Sequence, residues 1–273
     1  WVNISPLDRT YTLMHKRFLK YLRAPIVSAL DEEVLLFTRR YFKWREQEEK
    51  RLRLLDWMRG RWRIDSEDEP ERASLVLPIA LTMHRYGWAV PEFVEGSVAA
   101  MDAMVARIQP RGFERLAPEL RPLLESPPEP LKRQPNRPKI TTQFRTGDVL
   151  SIRHGQHWRG GYVVDISNDK SGMYPVVSFF DGIFDSPPTH AELTACVARG
   201  QRLNNGLVYP ARHALFGLSY APDPAGQIEI IASDAEPTGV GEPGVPPIFT
   251  ASAFSFSRLP PQVSHGCAGW NLA

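Results

Sequence analysis

The stretch FRTGDVLSIRHGQHWRGGYVVDISND, Phe144 to Asp169, decides how the second half of the chain is read. Its centre, HGQHWRGG (His154 to Gly161), puts two histidines, a tryptophan and an arginine ahead of a glycine pair. As chemistry, His154 and His157 supply two of the three or four ligands that a zinc ion needs. Asp148 or Asp165 would have to complete the set, and nothing in the spacing brings them to the same side. A helical HxxxH shares one face by geometry; HxxH in a hairpin does not. As structure, TGDVLSI and GGYVVDI are short β-branched or apolar runs bounded by Gly and Asp, the pattern of two strands joined by a turn. Gly160 and Gly161 open the second strand, where a missing Cβ permits a bulge or sharp coiling. The hairpin reading needs no further ligand, so no metal is expected. Trp158 and Arg159, residue types enriched among interface anchors, become candidate partner contacts beside the two histidines.

Downstream, MYPVVSFFDGIF reads as a further strand and carries Asp181, with Asp185 close behind. Acid pairs do proton-transfer work when their environments separate their pKa values. Here Gly182 and the following SPP explain both acids as turn or cap residues, and exposed acids also steer a basic partner. Pro187 to Gly200 is expected to form one helix with Thr189 as N-cap, Glu192 three residues on, and a terminal Gly. LVYPARHALFGLSY and GQIEIIASD predict two more strands. The tail from Glu236 to Ala273 is rich in Pro, Gly and Ser, with ASAFSFS as an added edge strand.

Upstream stands SPPEPLKRQPNRPK, Ser126 to Lys139, with five prolines and four basic residues. Proline removes amide donors and favours extended chain, so a semi-rigid linker is expected here. Before it the pattern is helical. Asp31 to Gly60 has Val34, Phe37, Tyr41, Trp44, Leu52, Leu55 and Met58 at spacings near three and four, although Glu48 and Arg51 interrupt the stripe. Further helices are expected over Thr10–Leu22, Glu71–Tyr86 (kinked or split by Pro78), Glu92–Ile108 and Phe113–Leu124.

Charge separates the halves. Residues before Thr141 hold 25 Lys/Arg against 20 Asp/Glu, and the remainder 8 against 11, within a net +2. The excess concentrates in Arg39 to Arg63, ten basic residues against four acids, interleaved with Tyr41, Phe42, Trp44, Trp57 and Trp62. Basic side chains neutralise phosphates and aromatic faces stack on bases, which makes Arg39, Arg40, Lys43, Arg45, Arg61 and Arg63 candidate nucleic-acid contacts in a basic helix over 31–63. An amphipathic bundle helix with i,i+4 pairs such as Glu46–Lys50 and Glu49–Arg53 explains the same composition.

Two cysteines, Cys196 and Cys267, without a CxxC are expected to be structural thiols in a reducing cytoplasm. Cys196 is expected mid-helix and apolar, six residues from His190, a poor setting for a nucleophile. No GxSxG, Walker A loop or Rossmann glycine fingerprint occurs. No apolar run approaches the roughly 18 residues that cross a bilayer, and the first residues show no basic-then-apolar leader pattern.

The run Phe144 to Cys196, through FRTGDVLSI, GGYVVDI, VVSFFDGIFD and THAELTACV, resembles the Immunity protein 26 family of bacterial polymorphic-toxin antitoxins. The resemblance lies within the C-terminal half only, over Phe144 to Cys196 and more weakly to Ser233, and includes no catalytic signature. It implies a small, strongly curved β-structure with an inserted helix, and a cytoplasmic, non-enzymatic protein that occludes the active site of a cognate toxin. The expected fold is α+β: an α-helical bundle over 1–125, a basic linker over 126–139, and a curved sheet or SH3-like barrel over 140–273. The partner surface expected under that reading comprises His154, His157, Trp158, Arg159, Asp181 and Asp185. If the toxin is a nuclease, its basic cleft suits the acids. The competing readings are a nucleic-acid-associated regulator and a hydrolase of unfamiliar type; no cofactor is expected.

Overall fold

In a computed structural model, residues 14–66, 70–108, 114–136, 141–169, 172–180, 182–196, 200–202, 208–210, 212–216, 218–236 and 249–252 are described. The chain divides into two compact units, Trp1–Pro138 and Lys139–Ala273. The first is helical and the second is built on strands, an α+β composition in that order.

In the first unit a helical stretch over 14–19 precedes α1, Ala24–Arg40, and α2, Gln47–Trp62. The single helix expected over 31–60 is therefore two. Tyr41 closes α1 with φ −101° and ψ 13°. Main-chain carbonyls released at that end are taken by side chains: the Lys50 ammonium donates to Tyr41 O (3.2 Å) and the Gln134 amide to Arg39 O (2.8 Å). Satisfying these groups from outside lets a helix stop without Gly or Pro. Glu48 and Arg51, which break the apolar stripe in sequence, belong to the first turns of the new helix.

A 3-10 turn, Pro70–Leu75, leads into α3, Val76–Arg85, so the expected split falls before Pro78 rather than at it. Pro78 occupies the first turn, where its missing amide has no helical acceptor to lose. Another 3-10 turn, Pro91–Phe93, precedes α4, Val94–Ile108, and α5 covers Ala117–Glu125. Helix α3 packs against α1 and α4, and its residues from Leu77 to His84 are all buried. The segment expected as a linker runs, over residues 126–136, against this unit: besides the Gln134 bond, Arg39 donates to Pro135 O at 2.6 Å.

Two polar groups are buried among the helices. Arg61 Nε donates to Glu33 Oε1 (3.1 Å) and the Trp62 indole to Glu33 Oε2 (2.8 Å). His15 Nε2 meets His84 Nδ1 at 3.0 Å, while His84 Nε2 reaches Ser126 O at 2.9 Å. A carbonyl only accepts, so His84 carries its proton on Nε2 and receives the His15 N–H on Nδ1.

The second unit contains β1 (Val149–His154), β2 (His157–Asp169), β3 (Gly172–Phe179), β4 (Gly200–Arg202), β5 (Val208–Pro210), β6 (Arg212–Phe216), β7 (Ile228–Ala232) and β8 (Phe249–Ser252). The main sheet runs β7-β1-β2-β3-β6-β8, with β8 parallel to β6 and the other neighbours antiparallel; β4 and β5 form a separate pair. Among the described residues this order is open and does not close into a barrel. Alternation puts Leu150, Ile152, Val163, Val177 and Phe179 into one core, and Val149, Tyr162, Phe180, Leu193 and Cys196 into another. Both faces of the central hairpin are thus covered.

The helix expected over Pro187–Gly200 is much shorter: α6 spans His190–Thr194. Its start follows expectation, with a reciprocal capping box between Thr189 and Glu192. Cys196 lies beyond its end, in the turn rather than mid-helix, and is disulfide-bonded. The expectation of a structural thiol is corrected for Cys196; Cys267 lies outside the described residues. The strand expected in ASAFSFS is described only where β8 reaches Ser252.

Candidate partner-binding surface

The candidate surface is built on the β1–β2 hairpin. Asp148 sets its entry: its carboxylate accepts the Arg145 amide (2.7 Å) and the Ser233 hydroxyl (2.8 Å), while its own amide donates to Arg145 O (3.1 Å). Pairing then runs from Val149↔Tyr162 to His154↔His157, leaving Gly155 and Gln156 as a two-residue loop. Gly155 has φ 63°, a conformation that a side chain disfavours.

Gly160 and Gly161 serve close approach rather than a bulge. A Cβ at Gly160 would lie 2.6 Å from Leu193 Cδ1 and nearer still to Cδ2, and one at Gly161 would lie 2.7 Å from Val177 Cγ1. The register shift of β2 falls further along, between Val163 and Asp165. The glycine pair therefore leaves room for the Leu193 side chain of α6 on one face and for the Val177 side chain on the other.

Trp158 packs inward, with 7% of its surface exposed, and the Arg153 guanidinium stands 5.4 Å from its ring centroid. Its backbone exchanges hydrogen bonds with Phe184. Arg159 is equally buried. Neither is an accessible contact, which corrects that expectation. Period two already contained the signal, because Trp158 shares its face with Gly160 and Tyr162.

His157 and Asp185 do come together. Nδ1 and Oδ1 are 3.2 Å apart, with side chains 58% and 98% exposed. A pair this open in water adds little stability and leaves both groups available to a partner. His154 ends β1, but its side chain lies outside the described set, as does Asp181 altogether. Among the described residues, no group of three His, Cys, Asp or Glu converges as metal ligands.

The basic candidates divide. Arg61 is buried on Glu33, Arg39 is bonded to Pro135 O, and Arg63, left-handed at φ 49°, donates to Ser66 Oγ. Arg40, Lys43 and Arg45 are exposed around the turn between α1 and α2. The six do not form one helical stripe. Sequence reading missed the turn itself, which no Gly or Pro announces.

No protein-family model, characterised protein or solved structure matches the chain. Among the described residues no helix is long and apolar enough to cross a membrane.

Proposed function

We propose that the Lys139–Ala273 unit is a non-enzymatic binding module of the immunity type, which neutralises a bacterial toxin by covering its active site. The observation that carries this reading is a hairpin end held by paired main-chain bonds while His157 and Asp185 stand open to solvent. A pre-ordered surface binds without an ordering cost, the physical requirement of a tight inhibitor. The reading keeps the small SH3-like barrel that the family resemblance implies for this unit, with the open sheet as its core. Asp185 suits a toxin with a basic substrate cleft, the electrostatics of a nuclease.

The test is co-expression of the full chain with the toxin encoded beside its gene. Growth rescue and a co-purifying complex are expected, and the pair His157→Ala with Asp185→Lys weakens that complex at least about tenfold. No rescue together with no complex overturns the proposal. A cytoplasmic encounter belongs to this reading.

A further inference from the structure

Several cations on the helices of the first unit have acidic partners. Arg51 binds Glu48 and Glu92, Arg53 binds Glu49, Arg61 binds Glu33, Arg85 binds Asp31, and Arg121 binds Glu95. The turn between α1 and α2 differs. Among the described residues, Arg40, Lys43 and Arg45 are exposed and pair with no carboxylate, and Glu46 is the acid that follows them in the turn.

Residues 40–45 also carry Tyr41, Phe42 and Trp44, all half-buried. Arg40 lies 5.5 Å from the Tyr41 ring centroid, and Arg53 covers Trp44 at 4.6 Å. Among the described residues, Phe42 engages no ring or cation. In sequence this ring lies between Arg40 and Lys43. The turn is also braced: Trp44 N donates to Tyr41 O (3.0 Å), and the Lys50 ammonium holds the same carbonyl.

We propose that this turn, residues 40–45, binds single-stranded nucleic acid, with Arg40, Lys43 and Arg45 on phosphates and the Phe42 ring stacked on a base. Such cations match the phosphate backbone, and the open part of a half-buried ring accepts any base face. A duplex keeps its bases stacked inside and offers the ring nothing. This inference concerns the helical unit and is independent of the toxin reading.

The experiment is fluorescence anisotropy of the full chain with a labelled oligo(dT) of about twelve nucleotides in about 50 mM salt. Saturable binding is expected, preferred over duplex of the same length, with log affinity falling against log salt at a slope near −2 for three cations. Lys43→Gln with Arg45→Gln is expected to weaken binding about tenfold and flatten the slope to roughly −0.7. Phe42→Leu keeps apolar bulk without a ring, and is expected to weaken binding about tenfold with the slope unchanged. Unaltered circular dichroism in both variants assigns these losses to contact. Absence of binding, equal affinity for duplex, or full affinity in either variant overturns the proposal. So does binding to phosphatidylglycerol vesicles without binding to the oligonucleotide, which would make the turn a membrane contact.

Discussion

Trp158 and Phe184 exchange both main-chain hydrogen bonds, Trp158 N to Phe184 O at 2.7 Å and Phe184 N to Trp158 O at 2.9 Å. This bridge ties the segment after β3 to the central hairpin and fixes the direction of the indole. The residue that looked most suited to meet a partner is thereby part of the frame that presents His157 and Asp185.

Trp158→Ala should therefore act on stability. Removal of a buried indole costs about 3–5 kcal/mol, whereas the exposed His157→Ala should stay within about 0.5 kcal/mol of the parent. Urea denaturation of the full chain measures both. Equal, small effects would show that the indole is not packed.

Gly160→Ala puts a methyl where the Leu193 side chain lies, with no room at either Cδ. Overpacking of this kind costs about 1–3 kcal/mol. Leu193→Ala in the same chain should recover part of that loss, giving a coupling energy in a double-mutant cycle. Strictly additive effects would remove the close approach as the reason for glycine.

Glu33 is the common acceptor for Arg61 and the Trp62 indole, and both Glu33 and Arg61 side chains are almost fully buried. Glu33→Ala takes a buried carboxylate away from two buried donors and should cost about 3–5 kcal/mol. An apolar replacement of the whole group would be far milder, because no charge is left behind. A Glu33→Ala protein as stable as the parent would contradict the buried pairing.

Burial holds the His84 imidazole below its ordinary value of 6.5, against a smaller opposing effect of its bond to Ser126. The folded state keeps this ring neutral while the unfolded chain takes up the proton more readily. Its contribution is fully present above the unfolded pKa and is lost as pH falls from there through the folded pKa. Thermal unfolding between pH 8 and pH 5 should show this decline, and His84→Gln should flatten it. A parent curve level across that range would contradict a buried neutral ring.

Much of the architecture was legible in the chain. The change from helical spacing to β-branched runs separates the two units because each periodicity matches one backbone geometry. TGD and THAE announced a strand entry and a capping box, since these signals act within four residues. The break after Tyr41 was not legible. Its carbonyls are satisfied by Lys50 and Gln134, the latter 95 residues away from its acceptor.

The same distinction divides the candidate surface. By itself the sequence determined that Phe144–Asp169 forms a hairpin, that helices precede it, and that basic and aromatic residues cluster near Arg39–Trp62. Local sterics and alternation suffice for those statements. Only the tertiary structure decided that Trp158 and Arg159 are buried, that Asp185 meets His157 from 28 residues away, and that Arg61 is paired on Glu33 while Arg40, Lys43 and Arg45 are not. Side-chain burial and charge pairing depend on segments brought together across the fold, and a Trp or an Arg in sequence looks the same on either side of a sheet.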